Sequence, residues 1–105
     1  MSIQVHDDSF TPLGEDLLRH AEQRIAAAVR RFHAVCSASV TLARMESFAE
    51  ASMCRVRIEW AGGPPLVVTH RDRDLKKAID DAAETTAQLL GSRARSVREA
   101  LCAPA

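Results

Sequence analysis

The stretch CRVRIEW-AGGPP-LVVTH-RDRDLKKAID, residues 54–80, decides the fold of this chain. In residues 54–60 charged side chains alternate with apolar ones, and this period of two predicts a strand with one buried and one solvent-facing side. Residues 62–65, Gly-Gly-Pro-Pro, are typical of a tight turn, and residues 66–69 supply a second strand rich in β-branched side chains. The stretch therefore predicts a β-hairpin that leads directly into a helix.

The segment after the hairpin has helical periodicity, and either Asp72 or Asp74 can cap its first turn. Gly91 lies in its path and costs about 1 kcal/mol relative to alanine, so the helix is expected to bend or weaken there. Thr86 lies on the predicted buried face of the helix, and a larger apolar side chain at this position is expected to stabilise the fold. The apolar positions of this helix are Leu75, Ala78, Ile79, Ala82, Leu89 and Leu90.

The first half of the chain predicts a short strand followed by a long helix. Ser2 to His6 reads as the strand, and Thr11 followed by Pro12 as the N-cap and first position of the helix. The helix is expected to end near His33. Apolar residues recur through it at steps of three and four: Leu17, Leu18, Ala21, Ile25, Ala28, Val29 and Phe32.

Val35 to Arg44 predicts another strand, and Met45 to Ala51 is expected to form a loop. The order β-α-β-β-β-α indicates an α+β fold class, a four-stranded sheet with two helices packed on one face, because each helix has a single apolar stripe. The 105 residues are expected to form one domain, with residues 102–105 as a frayed tail.

Composition narrows the function classes. The chain has 14 basic and 14 acidic side chains, and this zero net charge weakens the expectation of tight nucleic-acid binding without excluding a local basic patch. No apolar run has the length of a membrane span, so no membrane partner is expected. Three widely spaced cysteines fit a reduced, cytoplasmic chain better than a disulfide scaffold.

Signals for catalysis, cofactors and metals are absent from the sequence. The four histidines do not have zinc-site spacing, and Cys36 and Cys54 read as small hydrophobic residues that could meet across strands. The turn at residues 62–65 lacks the Lys-Ser/Thr of a phosphate loop. Asp80 and Asp81 point about 100° apart on a helix and cannot form an acid–base pair. We therefore expect no enzyme activity, cofactor, metal or small-molecule substrate.

Aromatic side chains could stack on nucleic-acid bases, and Trp60 and Phe48 are the candidates. Trp60 is in phase with Val56 and Ile58, which favours core packing instead.

Three short motifs in this order and spacing resemble one family. They are Arg31-Phe32, Pro65-Leu-Val-Val-Thr-His70 and Ala78-Ile79-Asp80. Together they resemble the ribosome hibernation promoting factor family, also called ribosome-associated inhibitor A or sigma-54 modulation protein. The resemblance runs from Ile3 to about Arg98, and it is to the short form, because the long form would continue into a linker and a dimerising domain.

The resemblance implies a ribosome-associated modulator of translation in resting or stressed cells. Members of the family bind the small ribosomal subunit, and hence ribosomal RNA, chiefly through basic side chains of two helices. Arginine forks match phosphate geometry, which suits this role. The candidate RNA-contact residues are Arg30, Arg31, Arg73, Lys76, Lys77, Arg93, Arg95 and Arg98.

The second helix departs from the family pattern. Where the family typically continues with Lys-Leu and then a basic residue near Gln, this chain has residues 85–88, Thr-Thr-Ala-Gln. Asp80, Asp81 and Glu84 would repel phosphate if they shared the basic face. The alternative is a protein-interaction or homodimerisation module of the same fold that uses an exposed edge strand, so a homo-oligomer stays open. A contiguous positive face favours the ribosome, and a mixed face favours the module.

Overall fold

The structure is a computed structural model that describes residues 2–9, 12–44 and 52–102, with side chains described as far as residue 95. The predicted loop at residues 45–51, with Phe48 in it, and residues 103–105 of the predicted tail lie outside the described residues. The predicted element order and α+β class are confirmed. The elements are β1 (Ser2–Asp7), α1 (Glu15–Val29), β2 (Val35–Ala43), β3 (Ser52–Trp60), β4 (Leu66–Asp72) and α2 (Leu75–Cys102).

The four strands form one sheet in the order β1-β2-β3-β4. β1 runs parallel to β2, because α1 carries the chain back between them, and the other two pairs are antiparallel. A row of four paired residues crosses all four strands: Val5, Val40, Val56 and Val68.

Both helices pack against the same side of the sheet, as predicted. Val40, Val56 and Ile58 of the sheet are fully buried in one cluster with Ile25 of α1 and Ile79 of α2. The side chains that alternate with them along the strands face the other way, where Arg55 and Arg57 are exposed. This alternation gives the sheet one apolar side, which both helices cover.

The predicted start of α1 at Thr11-Pro12 is wrong, because the helix begins at Glu15 with Gly14 as N-cap. Thr11 lies outside the described residues. The Asp7 carboxylate accepts hydrogen bonds from the backbone N–H of Leu13, at 2.8 Å, and of Ser9, at 2.9 Å. These two bonds hold the segment before α1 against the end of β1. They also keep the pKa of Asp7 below its ordinary value.

The predicted end of α1 near His33 is also wrong, because the helix ends at Val29 and Arg30 is its C-cap. Two short turns follow, in which Phe32 N–H donates to the Val29 carbonyl and Val35 N–H to the Phe32 carbonyl. Phe32 packs against the core and buried Val35 begins β2, so the chain must turn within five residues.

α2 begins where the sequence predicts. Asp74 Oδ1 accepts a hydrogen bond of 3.0 Å from Lys76 N–H, which identifies Asp74 as the cap. The helix runs from Leu75 to Cys102 without interruption at Gly91, so the predicted weakening there does not end it. The expected apolar positions are buried except Leu89, which is 37% exposed.

The β3–β4 hairpin uses Trp60 to support its own turn. The indole Nε1–H donates to the Pro64 carbonyl at 2.8 Å, and a Cβ on Gly62 would lie 2.3 Å from the indole ring. Trp60 also packs against the core, as its phase predicts. Its ring is therefore engaged within the fold rather than presented to a nucleic-acid base.

Candidate nucleic-acid interface

The two helices lie side by side and run in the same direction. His20 of α1 contacts Asp80 of α2, and about two turns further along both helices Ala27 and Ala87 line a common groove. The ends of the helices that follow β1 and β4 therefore lie together. This packing sorts the predicted RNA-contact residues into two groups.

The first group surrounds the start of α2, and we call it the leading cluster: Arg73, Lys76 and Lys77. All three side chains are exposed. Lys77 Nζ lies 3.8 Å from Asp72 Oδ2, so this carboxylate offsets part of the positive charge of the cluster. Lys76 lines a groove together with Arg19 of α1, which the sequence analysis missed. Arg19 lies at an exposed position of α1, and no sequence motif marks it as different from other surface arginines.

The second group lies around the end of α1 and the second half of α2, and we call it the trailing cluster: Arg30, Arg31, Arg93 and Arg95. All four are exposed. Arg30 and Arg31 follow the helix instead of closing its last turn, which corrects the predicted boundary. Arg31 and Arg95 line one groove although they are distant in sequence. The side chain of Arg98 lies outside the described residues.

Acidic side chains separate the two clusters. Asp80 Oδ1 accepts hydrogen bonds from His20 Nε2, at 2.8 Å, and from Arg24 Nε, at 3.0 Å. Burial alone would raise the pKa of Asp80, but these two donors outweigh it and hold the pKa below 3.8. Asp80 is thus an ionised link between the helices whose charge Arg24 compensates. The exposed Glu84 lines the neighbouring groove with the same arginine.

The helical face therefore carries mixed charge. Asp16 and Asp72 lie beside the leading cluster, and between the two clusters Arg24 offsets Asp80 but not Glu84. Lys76 and Arg95 are 19 residues apart, about 28 Å at about 1.5 Å per residue. This is the mixed pattern, which by the criterion set from the sequence favours the protein-interaction module over the ribosome. The two clusters could each contact a different segment of a phosphate backbone.

Three further polar side chains at or beside α2, those of His70, Thr85 and Thr86, are hydrogen-bonded within the fold. His70 Nε2 and Thr85 Oγ1 share a hydrogen bond of 2.8 Å between β4 and α2. Thr86 Oγ1 donates to the Ala82 carbonyl at 2.7 Å inside the core. The hydroxyls of residues 85–86, where the chain departs from the family pattern, thus make hydrogen bonds within the fold.

The structure describes the side chains of two cysteines, Cys36 and Cys54. Cys54 pairs with Leu42 and His70 across the sheet, while Cys36 lies at the irregular step between Val35 and Ser37. The two cysteines therefore do not meet across strands. Burial raises the pKa of the Cys54 thiol to about 12, which keeps it protonated and unreactive.

Comparison with known families identifies the chain. The sequence profile described as sigma 54 modulation protein / S30EA ribosomal protein matches residues 3–97. The chain belongs to this family. The resemblance found in the sequence is thereby confirmed, and the family consists of ribosome-associated modulators rather than enzymes. No curated protein sequence matches the chain.

Solved structures share the fold of this family member. The N-terminal domain of Protein Y from Thermus thermophilus matches with a TM-score of 0.67 at 17% identity, covering 87% of this chain and 93% of that one. A ribosomal subunit interface protein from Coxiella burnetii matches with a TM-score of 0.73 at 11% identity, covering 88% and 96%. At these identities the likeness establishes the fold alone. Among the described residues, no helix is both long and apolar enough to span a bilayer.

Proposed function

We propose that this protein binds the small ribosomal subunit through ribosomal RNA and modulates translation in resting or stressed cells. The observation that carries the proposal is family membership over residues 3–97. The exposed basic residues of the two helices, which lie on the side of the sheet that the helices cover, support the proposal. Such a partner implies that the protein acts in the cytoplasm.

The charge pattern suggests how this chain binds despite its zero net charge. The leading and trailing clusters provide seven exposed basic side chains at the two ends of the helical face. Between the clusters the positive charge of Arg24 offsets the negative charge of Asp80. The middle of the face therefore repels an RNA backbone less than the number of its carboxylates alone would suggest. We expect contact with roughly three to five phosphates, which gives a log–log slope of affinity against salt of roughly −2 to −5.

A salt titration of binding to purified small subunits tests this proposal. Replacing Lys76, Lys77, Arg93 and Arg95 with alanine should weaken binding and flatten the slope, because fewer counterions are released. A matched control removes four arginines that lie off the helices: Arg44, Arg55, Arg57 and Arg71. The control variant should bind like wild type. Wild-type protein that shows no salt-sensitive binding, or equal losses in both variants, would refute the helical interface.

The second candidate is a protein-interaction or homodimerisation module. β4 is an edge strand, and Val67 on it is 54% exposed. Such an edge can pair with a strand of another chain. Sedimentation equilibrium of wild type and of Val67→Lys distinguishes the two candidates. Association that the lysine abolishes, without salt-sensitive ribosome binding, favours the module.

A further inference from the structure

A shallow groove of about 450 Å³ opens between the end of α1 and the second half of α2. Its half-buried residues form the inner surface, and its exposed residues form the rim. We call it the arginine groove. Its inner residues are Phe32, Ala87, Gly91 and Ala94, and its rim residues are Arg31, Gln88 and Arg95.

The electrostatics of the arginine groove favour an anionic ligand. Two guanidinium groups line it, and no carboxylate does in the part of the chain that the structure describes. Neighbouring grooves on the same face differ, since one includes Glu84 and another Asp16. Positive charge on the rim of a concave surface concentrates negatively charged partners.

The shape of the arginine groove suits a flat ring. The Arg31 guanidinium lies 5.1 Å from the centre of the Phe32 ring, a cation–π contact that favours this position of the planar cation. Nucleobases stack on aromatic rings and on guanidinium planes when they are unpaired. Ala87, Gly91 and Ala94 present little side-chain bulk, which lets such a ring approach the helix. The groove volume falls within the range of small-ligand sites, about 300–1,000 Å³.

We propose that the arginine groove accepts one unpaired nucleotide of an RNA strand. The base lies against Arg31 and the small residues of α2, Gln88 offers its amide to the base edge, and Arg95 holds the phosphate. The inference rests on the proposed function and deepens it. Phosphate contacts alone do not depend on whether bases are paired, whereas a groove that stacks a base prefers unpaired RNA.

Gly91→Leu tests the groove without disturbing the fold. A Cβ at Gly91 would meet nothing within 4 Å, and the backbone there is not in the left-handed region, so a side chain can enter the groove without strain. Removing glycine from a helix interior should also favour the helix. The leucine fills the groove but leaves every charge of both clusters in place.

The probe is a short single-stranded RNA that carries one 2-aminopurine, compared with a duplex of the same phosphate count. Stacking one base corresponds to roughly 5- to 150-fold in affinity, so wild type should prefer the single strand by that factor and quench the probe's fluorescence. Gly91→Leu should lose the preference and the quenching and should bind small subunits more weakly, but the slope of affinity against salt should stay that of wild type because every charge is kept. Arg31→Gln should weaken single-strand binding more than Arg55→Gln, which removes the same charge from the opposite face of the sheet.

The outcomes separate the two proposals. If Gly91→Leu binds and quenches the single strand like wild type while small-subunit binding persists, the groove inference is overturned and the proposed function stands. If wild type binds no small subunits and no RNA, both fail. If a polyglutamate peptide binds wild type, Gly91→Leu prevents it, and the single strand does not bind, the groove belongs to an acidic protein partner and the inference is overturned.

Discussion

At the scale of single residues, Thr86 shows how the core of this protein tolerates a polar atom. Its side chain is 1% exposed, and its hydroxyl donates to the Ala82 carbonyl one turn earlier in α2. The bond satisfies the hydroxyl locally, so no partner on the sheet is required. Thr86 is therefore buried as its helical phase predicts.

We expect Thr86→Leu to raise the free energy of unfolding by up to about 1 kcal/mol, because it buries more apolar area. Thr86→Val is the matched control, since it removes the hydroxyl but keeps the branched shape. Urea denaturation of the three proteins measures the effect. Unchanged or lower stability of the leucine variant would show that the site is already filled.

Cys36 and Cys54 should differ sharply in reactivity. Cys36 is exposed, whereas Cys54 is fully buried with the pKa of its thiol raised to about 12. Only the thiolate reacts with iodoacetamide, so at pH 8 we expect native protein to be modified at Cys36 and not at Cys54. Mass mapping of peptides measures this. In urea both should react, and rapid native labelling of Cys54 would contradict its burial.

At the scale of elements, the contact between α1 and α2 depends on one carboxylate. Asp80 accepts hydrogen bonds from His20 and Arg24, two residues one turn apart on α1. The motif Ala78-Ile79-Asp80 thus combines two buried residues with an ionised residue that binds the other helix. This gives a physical role to a motif that the sequence analysis used only as a resemblance.

Asp80→Asn should lower the free energy of unfolding by about 1 kcal/mol at neutral pH, a modest loss because solvent screens this half-exposed link. The pKa of Asp80 is lowered in the folded protein, so its stabilisation is complete above the unfolded value of 3.8 and is lost as pH falls through the lower folded value. Stability curves from pH 7 to 3 should converge at the acid end. Asp81→Asn is the control, and equal behaviour of both variants would refute the link.

At the scale of the whole molecule, one core joins both helices to the sheet. Ile58 lies on β3, an inner strand, and is fully buried in the same cluster as Ile25 of α1 and Ile79 of α2. Each helix buries its apolar stripe in this shared cluster. The helices and the sheet should therefore unfold together.

Ile58→Ala should lower the free energy of unfolding by roughly 3 kcal/mol, through lost burial and the cavity left behind. Circular dichroism follows the helices, and the single tryptophan, Trp60, reports the hairpin by fluorescence. Both signals should change at the same urea concentration in wild type and in the variant. Separate transitions would show that the helices and the hairpin are independent units.

The fold was largely predictable from the sequence, and the arrangement of the candidate interface was not. Strand alternation, the hairpin turn and the Asp74 cap depend on residues within a few positions of each other, so local chemistry determines them. Both ends of α1 were mispredicted, because Asp7 binds Leu13 from the end of β1 and Phe32 turns towards the core. These are contacts beyond the local pattern.

The sequence by itself determined the element order, the buried face of each element and the family. Only the tertiary structure decided which charged residues meet. Asp80 lies 60 positions from His20, and Arg31 lies 64 positions from Arg95, yet the parallel packing of the helices brings each pair together. Helical periodicity assigns a residue to a face but carries no information about the neighbouring helix, and sheet topology supplies that information.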